Sequence, residues 1–101
     1  MNNPVFLMIE ATPNMSEMEA LQSYQSQVPA IAKKFGAAPV VSYNVEAALD
    51  GGEKPAIFAV LSFPSRDAIE SLFKDPGYET LIPLRDRGFS HVRFFIVNEK
   101  I

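Results

Sequence analysis

Residues 40–63, VVSYNVEAALDGGEKPAIFAVLSF, decide how this chain folds. In their first part Val41, Tyr43 and Val45 alternate with Ser42, Asn44 and Glu46, the period of two that marks a strand with one wet face, as at a sheet edge. Asp50-Gly51-Gly52 supplies residues tolerant of positive φ, and Ala56–Phe63 beyond it is nearly all apolar. The stretch therefore reads as a hairpin, Val40–Ala47 turning back into Ala56–Phe63. What lies on either side of it then sets the topology.

Upstream, Val5–Glu10 is a β-branched and apolar run too short for an independent helix, with Pro4 suited to its start. Pro13-Asn14 breaks the chain, and Ser16-Glu17-Met18-Glu19 has the Ser-x-x-Glu spacing of a reciprocal helix cap, so a helix is expected to begin there. Its apolar face runs Met18, Leu21, Tyr24, Val28, Ile31, Phe35 in steps of three and four, and Gly36 follows as a stop. Pro29 falls inside the helix and removes one backbone donor; because the periodicity continues past it, a kink is expected rather than an end. The Met15/Met18 pair reads as core filling.

Downstream, Ser65 is placed to cap a second helix that turns Ala68, Ile69, Leu72 and Phe73 inward, with Asp67 near the positive end of its dipole. Asp75-Pro76 starts a short third helix carrying Tyr78, Leu81 and Ile82. An irregular stretch after Pro83 ends at Gly88, and His91–Val97 is the last strand.

The order is strand, helix, strand, strand, helix, strand. Two βαβ units sharing a central hairpin give an α+β, ferredoxin-like βαββαβ arrangement: a four-stranded antiparallel sheet with its helices on one face. The open face of such a sheet ordinarily carries polar residues. Here Phe6, Met8, Phe58, Val60, Phe95 and Val97 occupy it. Left in water they would form a patch above the roughly 300–600 Å² of ordinary monomers, so a homodimer pairing sheet to sheet is expected.

Composition bounds the rest. The 101 residues hold no linker-like stretch and read as one domain, residues 1–101, with 48% hydrophobic residues to build a core. Zero cysteines exclude disulfides, thiolate metal sites and thiol nucleophiles. Nine Lys+Arg are scattered against twelve Asp+Glu, which argues against a nucleic-acid partner. The first apolar run is far too short for a spanning helix, so no membrane partner and a cytoplasmic location are expected. There is no nucleophile motif or phosphate loop, and no catalytic residue stands out. No metal site or cofactor is expected, since the one histidine, His91, has no second ligand at a useful spacing.

The order Phe63-Pro64-Ser65, Asp75-Pro76-Gly77-Tyr78 and Pro83-Leu84-Arg85, with Tyr24 and Gly36 upstream, resembles the DUF1330 family of the dimeric α/β-barrel superfamily. Gly36-Ala37-Ala38 and Ser42-Tyr43-Asn44 stand where that family carries Gly-Gly-Arg and Arg-Gly-Gly, and Glu53 stands where a tryptophan is common, so any role of those arginines does not carry over. The resemblance implies a fold and a dimer. It also suggests a cofactor-independent monooxygenase or isomerase acting on a small organic molecule, the alternative being a non-catalytic small-molecule-binding or regulatory dimer.

Tyr24, Tyr78 and Arg85 are the candidate ligand-binding residues, expected between the helices and the sheet: phenols to orient a small molecule, a guanidinium to receive a carboxylate. The plainer alternatives are tyrosines that fill core space, as Tyr43 also would, and an Arg85 that pairs with Glu79 or caps carbonyls. A second candidate is a polar cluster. In the antiparallel pairing of first and last strands, Glu10 falls beside His91 and Arg93 on the open face, as an acid–base couple or, more simply, a structural ion-pair cluster.

Overall fold

The computed structural model describes residues 4–100. Its strands are β1 (Val5–Pro13), β2 (Ala38–Asn44), β3 (Ile57–Phe63) and β4 (Phe89–Val97). The helices are α1 (Met18–Lys34), α2 (Arg66–Lys74), α3 (Pro76–Glu79) and α4 (Ile82–Gly88). The strands form one sheet in the order β2-β3-β1-β4, each neighbouring pair antiparallel. This is the ferredoxin-like α+β arrangement that the order of elements implies.

Register fixes the two faces. Leu7 lies opposite Leu61 and Ile96, and Ile9 opposite Ala59 and Phe94; with Val5, Ala11 and Phe63 these residues face the helices. On the other face Met8 sits between Val60 and Phe95, and Phe6 between Ser62 and Val97. Leu7, Phe63, Tyr24, Ala32, Ile69, Leu72, Tyr78 and Leu81 make the core between sheet and helices. That core is one-sided, so the open face is covered only by its own in-sheet neighbours.

Local chemistry accounts for most boundaries. The Ser65 hydroxyl accepts from the Ala68 N–H at the start of α2, and the Asp75 carboxylate accepts from the Tyr78 N–H with Pro76 in the first turn of α3. Gly36 ends α1 with φ +84°, and a Cβ there would lie 2.8 Å from Pro64 Cδ, so both its backbone and its neighbour require glycine.

Several expectations are corrected. The Ser16–Glu19 cap does not form: the Asn14 side chain accepts from Ser16 N–H and opens a 3₁₀ turn, Met15–Glu17, before α1 begins at Met18. Met15 and Met18 are exposed rather than core filling. β1 runs on to Pro13, and β2 starts at Ala38 and stops at Asn44. Residues 45–56 form a loop instead of a tight turn, in which Gly51 has φ +75° and Gly52 N–H donates to the Asp50 carboxylate. The segment after Pro83 is helical, because a proline in the first turn of α4 has no intrahelical bond to lose.

Candidate functional site

A cavity of about 480 Å³ opens between α1 and the helix-facing side of the sheet. Its apolar floor and walls come from Ile9 and Ala11 of β1, Ile57 and Ala59 of β3, Val92 and Phe94 of β4, and Val28 of α1. Polar groups are few. Ser42, Tyr43 and Asn44 contribute from β2, and Tyr24 and Gln25 border the cavity from α1.

Pro29 belongs to the lining as well, which gives the helix-interior proline a place. It has no N–H to give to the carbonyl of Gln25 one turn earlier, so a backbone acceptor of α1 is released beside the cavity. Ser42 and Asn44 lie there because β2 presents its polar alternates toward the helices: Ser42 pairs with Ala59 and Asn44 with Ile57, both cavity residues. The alternation of β2 is legible in the sequence, but which of its faces the helices cover is not.

Tyr24, Tyr78 and Arg85 meet, though not as three cavity walls. They form a hydrogen-bonded chain: Tyr24 Oη lies 2.8 Å from Tyr78 Oη, and Arg85 Nη1 donates to Tyr78 Oη at 3.2 Å. Tyr78 is 1% exposed and Tyr24 7%, while the Arg85 side chain is 18% exposed. Only Tyr24 borders the cavity; Tyr78 stands behind it, and Arg85 behind Tyr78. Arg85 also bonds Asp86 through Nε at 3.2 Å, and its guanidinium lies 5.5 Å from the centre of the Phe94 ring. Its ionic partner is thus Asp86 and not Glu79.

The elements explain the meeting. Tyr24 is carried by α1, Tyr78 by the α3 turn that Asp75 caps, and Arg85 by α4 one turn after Leu81. Edge-on contacts of Tyr24 with Tyr78 and with Phe89, ring centres 6.2 and 5.9 Å apart, hold the phenols in place. Burial, reinforced by the adjacent Tyr78, pushes the Tyr24 phenol well above the usual tyrosine range. Burial alone would pull Arg85 down, but Tyr78 and Asp86 more than offset it and its pKa ends above the ordinary arginine value. Around neutral pH a cation therefore donates into the chain at Tyr78, and Tyr24, a neutral phenol, acts as a hydrogen-bonding group and not as a base.

On the open face, His91 Nε2 lies 3.0 Å from Glu10 Oε2. Arg93 stands directly across from Glu10 in register, yet its guanidinium rests over the Phe95 ring, 4.7 Å from its centre. Two of the three expected partners thus meet and the third stacks beside them. The Glu10–His91 pair is partly exposed, where such pairs are worth about 0.2–1 kcal/mol. Glu10→Gln is expected to change unfolding free energy by no more than about that amount in urea titration. A loss of several kcal/mol would assign the pair a larger structural role.

Among the described residues no group of three or more His, Cys, Asp or Glu side chains is gathered to hold a metal, and no helix is long and apolar enough to cross a membrane.

Comparison with solved structures places the fold. A protein of unknown function from Rhodopseudomonas palustris, RPA0582, aligns with TM-score 0.82 and 16% identity over 100% of this chain and 85% of that one. SnoaB, a cofactor-independent oxygenase from Streptomyces nogalater, aligns with TM-score 0.64 and 14% identity over 98% of this chain and 95% of its own. A dimeric protein of unknown function and ferredoxin-like fold from Bacteroides fragilis aligns with TM-score 0.64 and 10% identity, covering 95% and 96%. At these identities the likeness is one of fold. No curated protein matches the chain. The sequence model of the domain of unknown function DUF1330 matches residues 5–99, nearly the whole of the sheet-and-helix unit described above, and the chain belongs to that family.

Proposed function

We propose that this chain is one domain that works as a cytoplasmic homodimer, paired sheet to sheet, and binds a small, mainly apolar organic molecule in the cavity between α1 and the sheet. The observation that carries the binding reading is the cavity itself. Its size of about 480 Å³ falls inside the range of small-molecule sites, roughly 300–1,000 Å³, and it pairs apolar walls with a few convergent polar groups. Tyr24, backed by Tyr78 and Arg85, is the ligand-orienting set.

The chemistry that fits is of the cofactor-independent oxygenase or isomerase kind. A neutral phenol held by a cationic chain is suited to hydrogen-bond an oxygen on which charge develops, as in an enolate. SnoaB, a cofactor-independent oxygenase, shares the fold. The alternative, a non-catalytic binding dimer, is favoured by the lining, which among the described residues holds no carboxylate, imidazole or amine to take a proton. Catalysis here would require a substrate acidic enough to lose its proton without one of those bases.

Surface area supports the dimer. A compact monomer of 11.2 kDa exposes about 5,700 Å² by the usual scaling, whereas this chain exposes 6946 Å² and is only 17 Å thick in its shortest dimension. The excess, on the order of 1,200 Å², is shared between the half-exposed open face and the exposed 45–56 loop, and it leaves room for the roughly 800 Å² that each partner contributes to a standard interface. Phe6, Met8, Phe58, Val60, Phe95 and Val97 supply its apolar centre.

Native mass spectrometry of freshly purified protein tests both parts, with a dimer mass and any retained small molecule expected together. Methyl NMR with tetralin as a hydrocarbon probe then locates the site: shifts are expected at Val28, Ala59 and Val92. A monomer mass rejects the dimer. Titration without movement of those methyls rejects the cavity.

A further inference from the structure

Counting hydrogens in the buried chain gives it a direction. The Arg85 guanidinium has only hydrogens to offer, and Tyr78 Oη receives one of them. Each phenol contributes one more hydrogen, yet the single contact between Tyr24 and Tyr78 uses only one of the two. One O–H is always left over. If Tyr24 donated to Tyr78, the surplus hydrogen would sit on Tyr78, which is 1% exposed and does not border the cavity. A buried donor with no acceptor is costly, whereas Tyr24 is the one of the two that borders the cavity, a space that a guest or water can enter.

We infer that Arg85, acting through Tyr78, turns Tyr24 into a donor toward the cavity, so that the site selects ligands presenting an acceptor oxygen without a hydrogen of its own: a ketone, a quinone, or an enolate or phenolate anion. Arg85 is in this scheme a positioning residue that never touches the ligand. Its cationic N–H withdraws electron density from Tyr78, which strengthens each donor further along the chain. This inference rests on the cavity reading above and adds to it the chemistry of the occupant.

The experiment uses two bicyclic probes of nearly equal shape, 1-tetralone carrying a ¹³C-labelled carbonyl and the hydrocarbon tetralin, with the wild-type protein and the variants Tyr24→Phe, Arg85→Met and Arg85→Lys. Tyr24→Phe is expected to weaken tetralone binding about fivefold to tenfold, the worth of one neutral hydrogen bond, and to leave tetralin binding unchanged. The bound carbonyl resonance should move downfield in the wild type, return toward its hydrocarbon-solvent position in Tyr24→Phe, lie between the two in Arg85→Met, and recover in Arg85→Lys. Tetralin binding in each variant shows that the cavity still stands.

Equal tetralone affinity and an unchanged carbonyl resonance in Tyr24→Phe would overturn the donor assignment while leaving the cavity reading intact. A wild-type resonance in Arg85→Met would overturn the part played by the arginine. Failure of both probes to bind the wild type would remove the cavity reading, and this inference with it.

Discussion

Phe58→Asp is expected to turn the proposed dimer into a monomer or to prevent folding. Phe58 lies on the open face between Glu10 of β1 and Tyr43 of β2. Phe58 is already half-buried within its own sheet, so covering its remaining surface supplies part of the about 1.5–3 kcal/mol of a full burial, and a two-fold interface loses that part twice. The aspartate itself costs more than the lost phenylalanine, because it must either be buried without a partner or give up its charge, and Glu10 directly opposite adds like-charge repulsion. Light scattering on a size-exclusion column reads the outcome, with Phe58→Leu as the apolar control that keeps the dimer. Phe95→Asp, on β4, should behave in the same way. Two stable dimeric aspartate variants would show that another surface pairs.

The second large effect is expected from Gly88→Ala, a change of one methyl group. Gly88 ends α4 and is buried against α1, where a Cβ would lie 2.7 Å from Leu21 Cα and 2.9 Å from Leu21 N. Both are backbone atoms, so no side chain can rotate away and the two helices must separate. Overpacking of this kind costs about 1–3 kcal/mol, and in a domain of this size each kcal/mol lowers Tm by roughly 4–8 °C. The damage should reach the site, since Tyr24 lies one turn beyond Leu21 and Phe89, which packs on the Tyr24 ring, follows Gly88 directly. Gly52→Ala is the comparison: its Cβ would meet only the Asp50 carboxylate, no nearer than 3.3 Å, in the exposed loop. Calorimetry showing equal Tm values for the two variants would mean that α1 and α4 separate at little cost.

The topology is legible because period-two and period-3.6 patterns survive in the sequence: Val5–Glu10 falls within β1, and the Met18–Phe35 face and the 56–63 run match α1 and β3 to within one residue at one end. Contacts between distant residues are not. Nothing at positions 24, 78 and 85 announces that their polar tips meet end to end, since that depends on how three helices pack. The α4 helix is hidden because Pro83 and Gly88 read as breakers; one occupies a first turn and the other a close helix crossing, both places where the residue belongs in a helix. The role of Pro29 is obscured for a related reason, as its consequence falls on Gln25, whose carbonyl loses the N–H that position 29 of a regular helix would give it. A similar limit applies on the open face, where strand pairing brings Glu10, His91 and Arg93 together as expected, yet Arg93 stacks on an aromatic ring instead of meeting the carboxylate.

The two margins of the sheet differ in a way that bears on how copies of this chain avoid stacking into fibres. β2 forms one margin, and it carries Pro39, which has no N–H, with a register shift between Pro39 and Val41, so the strand has one backbone donor fewer and its pairing runs out of step. Such a margin is a poor template for an incoming strand. β4 forms the other and runs from Phe89 to Val97 without a proline. Strand-by-strand growth needs two receptive margins on every unit. With only one, a single chain can join β4 to a second β4 but cannot extend its own sheet through β2, so growth is blunted on that side of every copy.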